Sequence, residues 1–109
     1  MNINYSVIEI YSLKGRMLNQ VQAFLEGLDL MIDKGIEYTV CVLDGDKIIA
    51  TASRRENILL CFGVDEDYQG EGLTGDLLTY LIKNAAKEGY DHLFIYTKPD
   101  AAARFLPYF

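Results

Sequence analysis

Three glycines in the middle of the chain have the spacing of an anion-binding turn. Gly70, Gly72 and Gly75 form a G-x-G-x-x-G pattern within the run 68–78. Glycines at such spacing let backbone N–H groups approach an anion closely, and the first turn of a helix adds partial positive charge. The chemistry that this stretch predicts is the binding of a phosphate group by backbone atoms.

Apolar patterns on either side of these glycines predict the elements that position them. Residues 57–64 are nearly all apolar, which predicts the central strand of a sheet, covered on both faces. Apolar residues from Leu73 to Glu88 recur at spacings of three and four and predict an amphipathic helix, with Gly89 as its C-terminal cap. Residues 91–97 predict the next strand, parallel to the first because a helix connects them.

The first half of the chain predicts a strand at 3–11 and then a helix. Ser12 is the expected N-cap of this helix, whose apolar stripe continues to Leu28. Residues 29–35 fit either a short helix or a loop.

Two more strands are predicted at 36–43 and 47–53, with a hairpin at Asp44-Gly45-Asp46 between them. Residues 54–56 then read as a solvated turn, and 99–106 as a short helix that Pro107 ends. The expected fold is α+β: an antiparallel meander, one parallel β-α-β crossover, and helices on both faces of a mixed sheet.

Composition limits the classes of function. The chain has 109 residues, which suits one domain over 1–109, and half of them are apolar. Ten basic and sixteen acidic residues give a net charge of −6, which argues against binding to nucleic acid or to an anionic membrane. We expect a cytoplasmic protein with no membrane span and no metal site, in which Cys41 and Cys61 are buried and reduced.

The residues around the glycines argue against two known kinds of phosphate-binding turn. A dinucleotide-binding turn begins almost at the strand end, whereas residues 65–69 intervene here. Its next strand should also end in an acidic residue that holds a ribose, and Lys98 stands there instead. No Gly-Lys-Ser/Thr sequence follows, so the turn is not a Walker loop either.

Residues 64–74 resemble the acetyl-CoA signature of the GNAT N-acetyltransferase superfamily, Arg/Gln-x-x-Gly-x-Gly/Ala. Gln69 and Gly72 match its first two fixed positions, and Thr74 stands where Gly or Ala is usual. Residues 69–73 and 92–99 further resemble the N-terminal acetyltransferase-like domain of the citrate lyase ligase family. The resemblance implies acetyl-CoA or CoA as cofactor, and transfer of the acetyl group to a small-molecule or protein amine.

The resemblance also implies roles for individual residues. The cofactor pyrophosphate would be held by the turn: Gln69, Gly70, Glu71, Gly72, Leu73 and Thr74. The pantetheine arm would pair with the strand end: Phe62, Gly63 and Val64. Catalysis needs a base for the amine and an acid for the leaving thiolate. The nearest residues to the family's positions are Glu37 and Glu56 for the base and Tyr108 for the acid.

Two other functions stay open. The chain fits a catalytically silent regulatory or interaction module of a larger enzyme, or a nucleotide-binding domain that prefers NAD. GNAT folds add strands after the last short helix, so we expect the C-terminal strands to be missing or truncated. A homodimer or an additional domain after Phe109 would cover that edge. The adenylation step of a ligase is not assigned to these residues, because His92 alone cannot supply a two-histidine nucleotide motif.

Overall fold

The computed structural model describes residues 4–96 of the chain. Within them lie five strands and two α-helices. The strands are β1 (Tyr5–Tyr11), β2 (Tyr38–Asp44), β3 (Lys47–Arg55), β4 (Ile58–Val64) and β5 (Phe94–Ile95). The helices are α1 (Gly15–Glu26) and α2 (Leu73–Lys87), and a 3₁₀ turn at Glu66–Tyr68 precedes α2.

The strands form one sheet in the order β1-β2-β3-β4-β5. Pairing is antiparallel from β1 to β4, and β5 runs parallel to β4, with Ile58 opposite Phe94 and Leu59 opposite Ile95. The predicted α+β fold with its meander and its parallel crossover is therefore confirmed. The prediction that 57–64 is the central strand was wrong, because β3 lies in the middle of the five.

The two helices cover opposite faces of the sheet, as expected. Neighbouring side chains of a strand point in opposite directions, so alternate residues of β2 lie on opposite faces of the sheet. Val40 and Val42 pack into a core cluster with Leu77 and Leu81 of α2. Cys41 between them belongs to a second cluster with side chains of α1, among them Val21 and Leu25. Both faces of the central strands are thus buried.

Two predicted glycine signals are confirmed. Gly45 has φ +63° in the hairpin, where Asp44 pairs with Lys47. Gly89 has φ +94° just after α2. Its N–H bonds to the Ala86 carbonyl at 3.0 Å and the Tyr90 N–H bonds to the Ala85 carbonyl at 2.9 Å, the bond pair of a Schellman cap.

Two local predictions were wrong. Ser12 is not the N-cap of α1, because the helix begins at Gly15 with Lys14 as its N-cap and no side-chain cap bond. Ser12 instead has φ +64° in the connection. Residues 54–56 are not a solvated turn, because Arg54 and Arg55 end β3 and Arg54 is 3% exposed. The turn itself falls on Glu56 and Asn57.

Other predicted segments differ from the structure in type or in length. Residues 29–35 form a loop with turns and no helix. The described part of the strand predicted at 91–97 is limited to Phe94–Ile95. The short helix predicted at 99–106, together with Lys98, Pro107 and Tyr108, lies outside the described residues. Neither α1 nor α2 has the length and apolar character needed to cross a membrane.

Candidate functional site

The glycine turn presents an open helix N-terminus. Gly70 and Gly72 have φ values of +88° and +81°, in the left-handed region that a residue with a Cβ adopts at a cost. A Cβ added at Gly70, Gly72 or Gly75 would meet no atom within 4 Å, so there is free space beside all three. Gly72 is the N-cap of α2, and in the described part of the chain no side chain caps it.

This arrangement suits an anion. The first N–H groups of a helix have no acceptor within the helix, and they carry the positive end of its dipole. α2 is 15 residues long, about four turns, so the aligned peptide dipoles of several turns contribute to the partial positive charge at its N-terminus. Backbone donors beside empty space could hold a pyrophosphate without any basic side chain.

The two residues after Gly72 anchor the turn to the core. Leu73 and Thr74 are 2% and 5% exposed, so the side chain at the position where Gly or Ala is usual is buried in the protein. On the other side of the glycines, Gln69 donates from Nε2 to the Val64 carbonyl at 3.3 Å. The turn is therefore fixed at both ends, and Gly70 and Gly72 lie between the two anchors.

The approach to the turn is also structured. The Asp65 N–H bonds to the Ile49 carbonyl at 2.8 Å, which continues the β3–β4 pairing by one residue. The Asp65 carboxylate accepts from the Asp67 N–H at 2.9 Å and caps the 3₁₀ turn. The Tyr68 N–H bonds back to the Asp65 carbonyl at 2.9 Å. Residues 65–69 thus form a connection with its own internal hydrogen bonds.

Three carboxylates near the turn are bound by side chains of other segments. The Tyr5 hydroxyl donates to Glu71 Oε1 at 2.9 Å, and the Tyr68 hydroxyl donates to Asp44 Oδ2 at 2.7 Å. Lys47 Nζ lies 3.4 Å from Asp65 Oδ2 and 5.4 Å from the centre of the Tyr68 ring. The hydrogen bond to Asp44, together with desolvation, raises the pKa of Tyr68 to about 12, so its hydroxyl remains a donor at neutral pH.

β4 is irregular just before the turn. Cys61 has φ +58°, and the register with β3 shifts between Thr51 and Ser53. Gly63 is closely packed: a Cβ there would lie 3.0 Å from Leu25 Cδ2 and 3.0 Å from Leu28 Cδ1. The missing side chain at Gly63 therefore makes room for α1 and the residues that follow it.

A cavity of about 580 Å³ lies at the other end of β4. Its polar lining comes from Asp33, Lys34, Arg55 and Asn57, and its apolar lining from Ile58, Phe94, Ile95 and Tyr96. The seven residues of β4 cover about 20 Å at the usual rise of a strand. The strand thus separates the cavity from the glycine turn by about that distance.

The three candidates for acid and base are differently placed. Glu37 Oε2 lies 3.4 Å from Nη1 of the buried Arg54, and both Glu37 carboxylate oxygens accept from the Glu56 N–H, at 3.3 and 3.4 Å. Glu56 occupies the β3–β4 turn with φ +52°. The structure therefore brings Glu37 and Glu56 together at the end of β4 that also borders the cavity. Tyr108 lies outside the described residues.

Sequence reasoning did not place Asp33 and Arg55 in the lining of a cavity. Asp33 belongs to the loop 29–35, which carries no periodic signal, and Arg55 looked like part of a solvated turn. The β-rich pattern from Lys47 ends at Ser53, whereas the strand itself continues to Arg55 and so places Arg55 at a strand end.

Comparisons with known proteins identify the family of the chain. The profile of the acetyltransferase (GNAT) family matches residues 5–106. The citrate (pro-3S)-lyase ligase of Haemophilus influenzae is 36% identical over 98 residues, which are 89% of this chain and 29% of that protein. The Escherichia coli ligase of the same name is 35% identical over 92 residues, 84% of this chain and 26% of that protein. The chain therefore spans between a quarter and a third of the length of these relatives.

Solved structures share the fold. An aminoglycoside acetyltransferase from an uncultured soil metagenomic sample superimposes with a TM-score of 0.74 at 14% identity, over 95% of this chain and 86% of that one. The ribosomal-protein-S18-alanine N-acetyltransferase of Escherichia coli gives a TM-score of 0.65 at 18% identity, over 95% and 74%. The resemblance to citrate lyase ligases is confirmed, and the chain belongs to the GNAT acetyltransferase family.

Proposed function

We propose that residues 1–109 form one acyl-CoA-binding domain that transfers an acetyl group from acetyl-CoA to an amine. The observation that carries this proposal is the uncapped start of α2, where Gly70 and Gly72 leave open space beside backbone donors. Residues 69–74 would hold the cofactor pyrophosphate there, as helix N-termini hold phosphates in other proteins. Membership of the GNAT family supports the choice of acetyl-CoA over another phosphate ligand.

The pantetheine arm would extend from the turn along β4, beside Phe62, Gly63 and Val64. The left-handed residue Cys61 and the register shift against β3 make the strand irregular in this stretch, and such irregularities re-aim backbone groups next to many active sites. An extended arm on this path brings the thioester toward the cavity at the far end of the strand.

The cavity is our candidate for the acceptor site. Asp33 offers a carboxylate to an amine, Arg55 a guanidinium to an acidic group, and Phe94 and Tyr96 an apolar wall. An amine must lose a proton before its lone pair attacks the thioester carbonyl, and the departing thiolate must gain one. Asp33 could take the first proton, because it lines the cavity, whereas Glu37 is held by Arg54 and by the Glu56 N–H.

The engagement of Glu37 also favours the second candidate, a catalytically silent module. In that case the domain would bind CoA and regulate or contact another part of a larger enzyme. The named activity of the ligase relatives belongs to proteins about three times as long as this chain and is not part of this proposal.

One experiment separates the two candidates. The purified chain is incubated with acetyl-CoA and a panel of small amines, amino acids and peptides, and acetylated products are identified by mass spectrometry. Acetylation above the rate without protein supports the transferase. Binding of acetyl-CoA in calorimetry without acetylation of any amine would favour the silent module.

A further inference from the structure

The glycine turn lies in an acidic part of a protein with net charge −6. Asp65, Glu66 and Asp67 precede it, and Glu71 stands between the two left-handed glycines. Carboxylates near a pyrophosphate repel it, and the repulsion grows as water is excluded. A turn of this composition needs a way to keep Glu71 from facing the ligand.

Tyr5 supplies such a constraint. Its hydroxyl donates to Glu71 Oε1 at 2.9 Å, a contact between β1 and the turn that joins residues 66 positions apart. Gly70 and Gly72 give the backbone around Glu71 unusual freedom, so this bond is a specific restraint on the carboxylate. The Tyr5 ring is itself held in edge contact with Tyr68, with 5.8 Å between the ring centroids.

The neighbouring carboxylates are held in the same way. Asp44 accepts from the Tyr68 hydroxyl, and Asp65 is paired with Lys47. Tyr5, Lys47 and Tyr68 thus bind one acidic side chain each. We name these three residues the carboxylate clamp.

We propose that Tyr5 is a positioning residue of the cofactor site, which holds the Glu71 carboxylate against β1 and away from the anion that binds at the start of α2. This inference rests on the proposed binding of CoA. In this inference Tyr5 does not contact the ligand, because Tyr5 acts through Glu71. It also explains how a turn without a basic side chain, in an acidic neighbourhood, remains able to bind a polyanion.

The test is a double-mutant cycle with CoA titrated by calorimetry into wild type, Tyr5→Phe, Glu71→Gln and the double variant. We expect Tyr5→Phe to raise the Kd by about fivefold, the size of a charge effect at a helix N-terminus. Glu71→Gln keeps the backbone N–H groups that would hold the pyrophosphate and removes only the side-chain charge, so it should bind at least as tightly as wild type, and adding Tyr5→Phe to it should cost nothing further. High salt should reduce the effect of Tyr5→Phe, since salt screens exposed charges.

Tyr38→Phe is the matched control, because its hydroxyl donates to the Glu9 carboxylate at 2.8 Å on another part of β1. This variant should leave the Kd for CoA unchanged. If Tyr5→Phe weakens binding as much in the Glu71→Gln background as in wild type, Tyr5 only shapes the turn and the inference is wrong; equal binding by wild type and Tyr5→Phe also overturns it. Failure of wild type to bind CoA would instead reject the proposed function. Melting temperatures without ligand show whether each variant is folded.

Discussion

Arg54 donates a hydrogen bond of 2.8 Å from Nε to Asn84 Oδ1, which joins β3 to α2 inside the protein. Its Nη1 donates to the Glu56 carbonyl at 2.9 Å, and its guanidinium carbon lies 5.5 Å from the centre of the Tyr90 ring. Glu37 lies 3.4 Å from the same Nη1. The buried guanidinium of Arg54 is therefore bonded on several sides. It holds the turn that precedes β4.

Replacing Arg54 should destabilise the protein. Arg54→Met leaves Asn84 Oδ1 without its buried donor, so we expect the free energy of unfolding to fall by about 1–3 kcal/mol. Arg55→Met is the control, since Arg55 is more exposed and donates to the Lys34 carbonyl at the surface; its effect should stay under about 1 kcal/mol. Urea denaturation measures both. Equal losses in the two variants would contradict the structural role of Arg54.

The sequence was most informative where local chemistry decides the conformation. The hairpin at Gly45 and the helix end at Gly89 were predicted correctly because each needs a left-handed residue at one position. Arg54 was assigned to solvent because its charge suggests exposure, whereas its burial depends on Asn84, which is 30 residues away in the chain. The residue pattern of a single strand does not reveal contacts with residues that are distant in the chain.

The candidate site also has one part that the sequence predicts and another part that depends on distant contacts. The turn with Gly70 and Gly72 was predictable from spacing, because strand, glycines and helix follow one another in the chain. The bonds that restrain its carboxylates involve Tyr5 and Asp44 and depend on the order of the strands. The cavity lined by Asp33 and Arg55 also forms only when distant segments meet.

Gly63 and Gly75 should respond in opposite directions to alanine. Gly63→Ala places a Cβ at 3.0 Å from Leu25 Cδ2 and Leu28 Cδ1, so these side-chain ends must move by a few tenths of an ångström, at an expected cost of about 1–3 kcal/mol. Gly75→Ala meets no atom within 4 Å and lies in α2, where alanine should stabilise by about 0.5–1 kcal/mol. Thermal melts of the two variants test this. A stabilising Gly63→Ala would show that α1 does not pack against β4 as described.

The thiol of Cys61 should react slowly although it is only partly buried. Desolvation raises its pKa from 9.0 to about 11, so the thiolate fraction at pH 8 is about 100-fold lower than for an unshifted thiol, and the thiolate is the reactive form. Burial also raises the pKa of Cys41. We expect alkylation by iodoacetamide to be slow at pH 8 and to accelerate toward pH 11. Both cysteines should react rapidly in urea, and fast labelling of Cys61 in the folded protein at pH 8 would be inconsistent with this environment.

Asp33 should affect acetyl transfer more than cofactor binding. If the cavity receives the amine, Asp33→Asn removes the carboxylate that accepts its proton, and kcat should fall by about 100-fold or more. The Kd for acetyl-CoA should not change, because the turn lies at the other end of β4. Asp91→Asn is the control, since Asp91 is exposed and bonded to His92. Equal activity of Asp33→Asn and wild type would remove Asp33 from the mechanism.

The most direct test of the cofactor site compares two glycines at opposite ends of α2. Gly72→Glu and Gly89→Glu add the same charge, both at left-handed positions where a Cβ meets no atom within 4 Å. Calorimetric titration with acetyl-CoA should show binding by wild type and by Gly89→Glu, and no measurable binding by Gly72→Glu. Binding by Gly72→Glu with wild-type affinity, or no binding by wild type, would contradict the assignment of the turn as the site for acetyl-CoA.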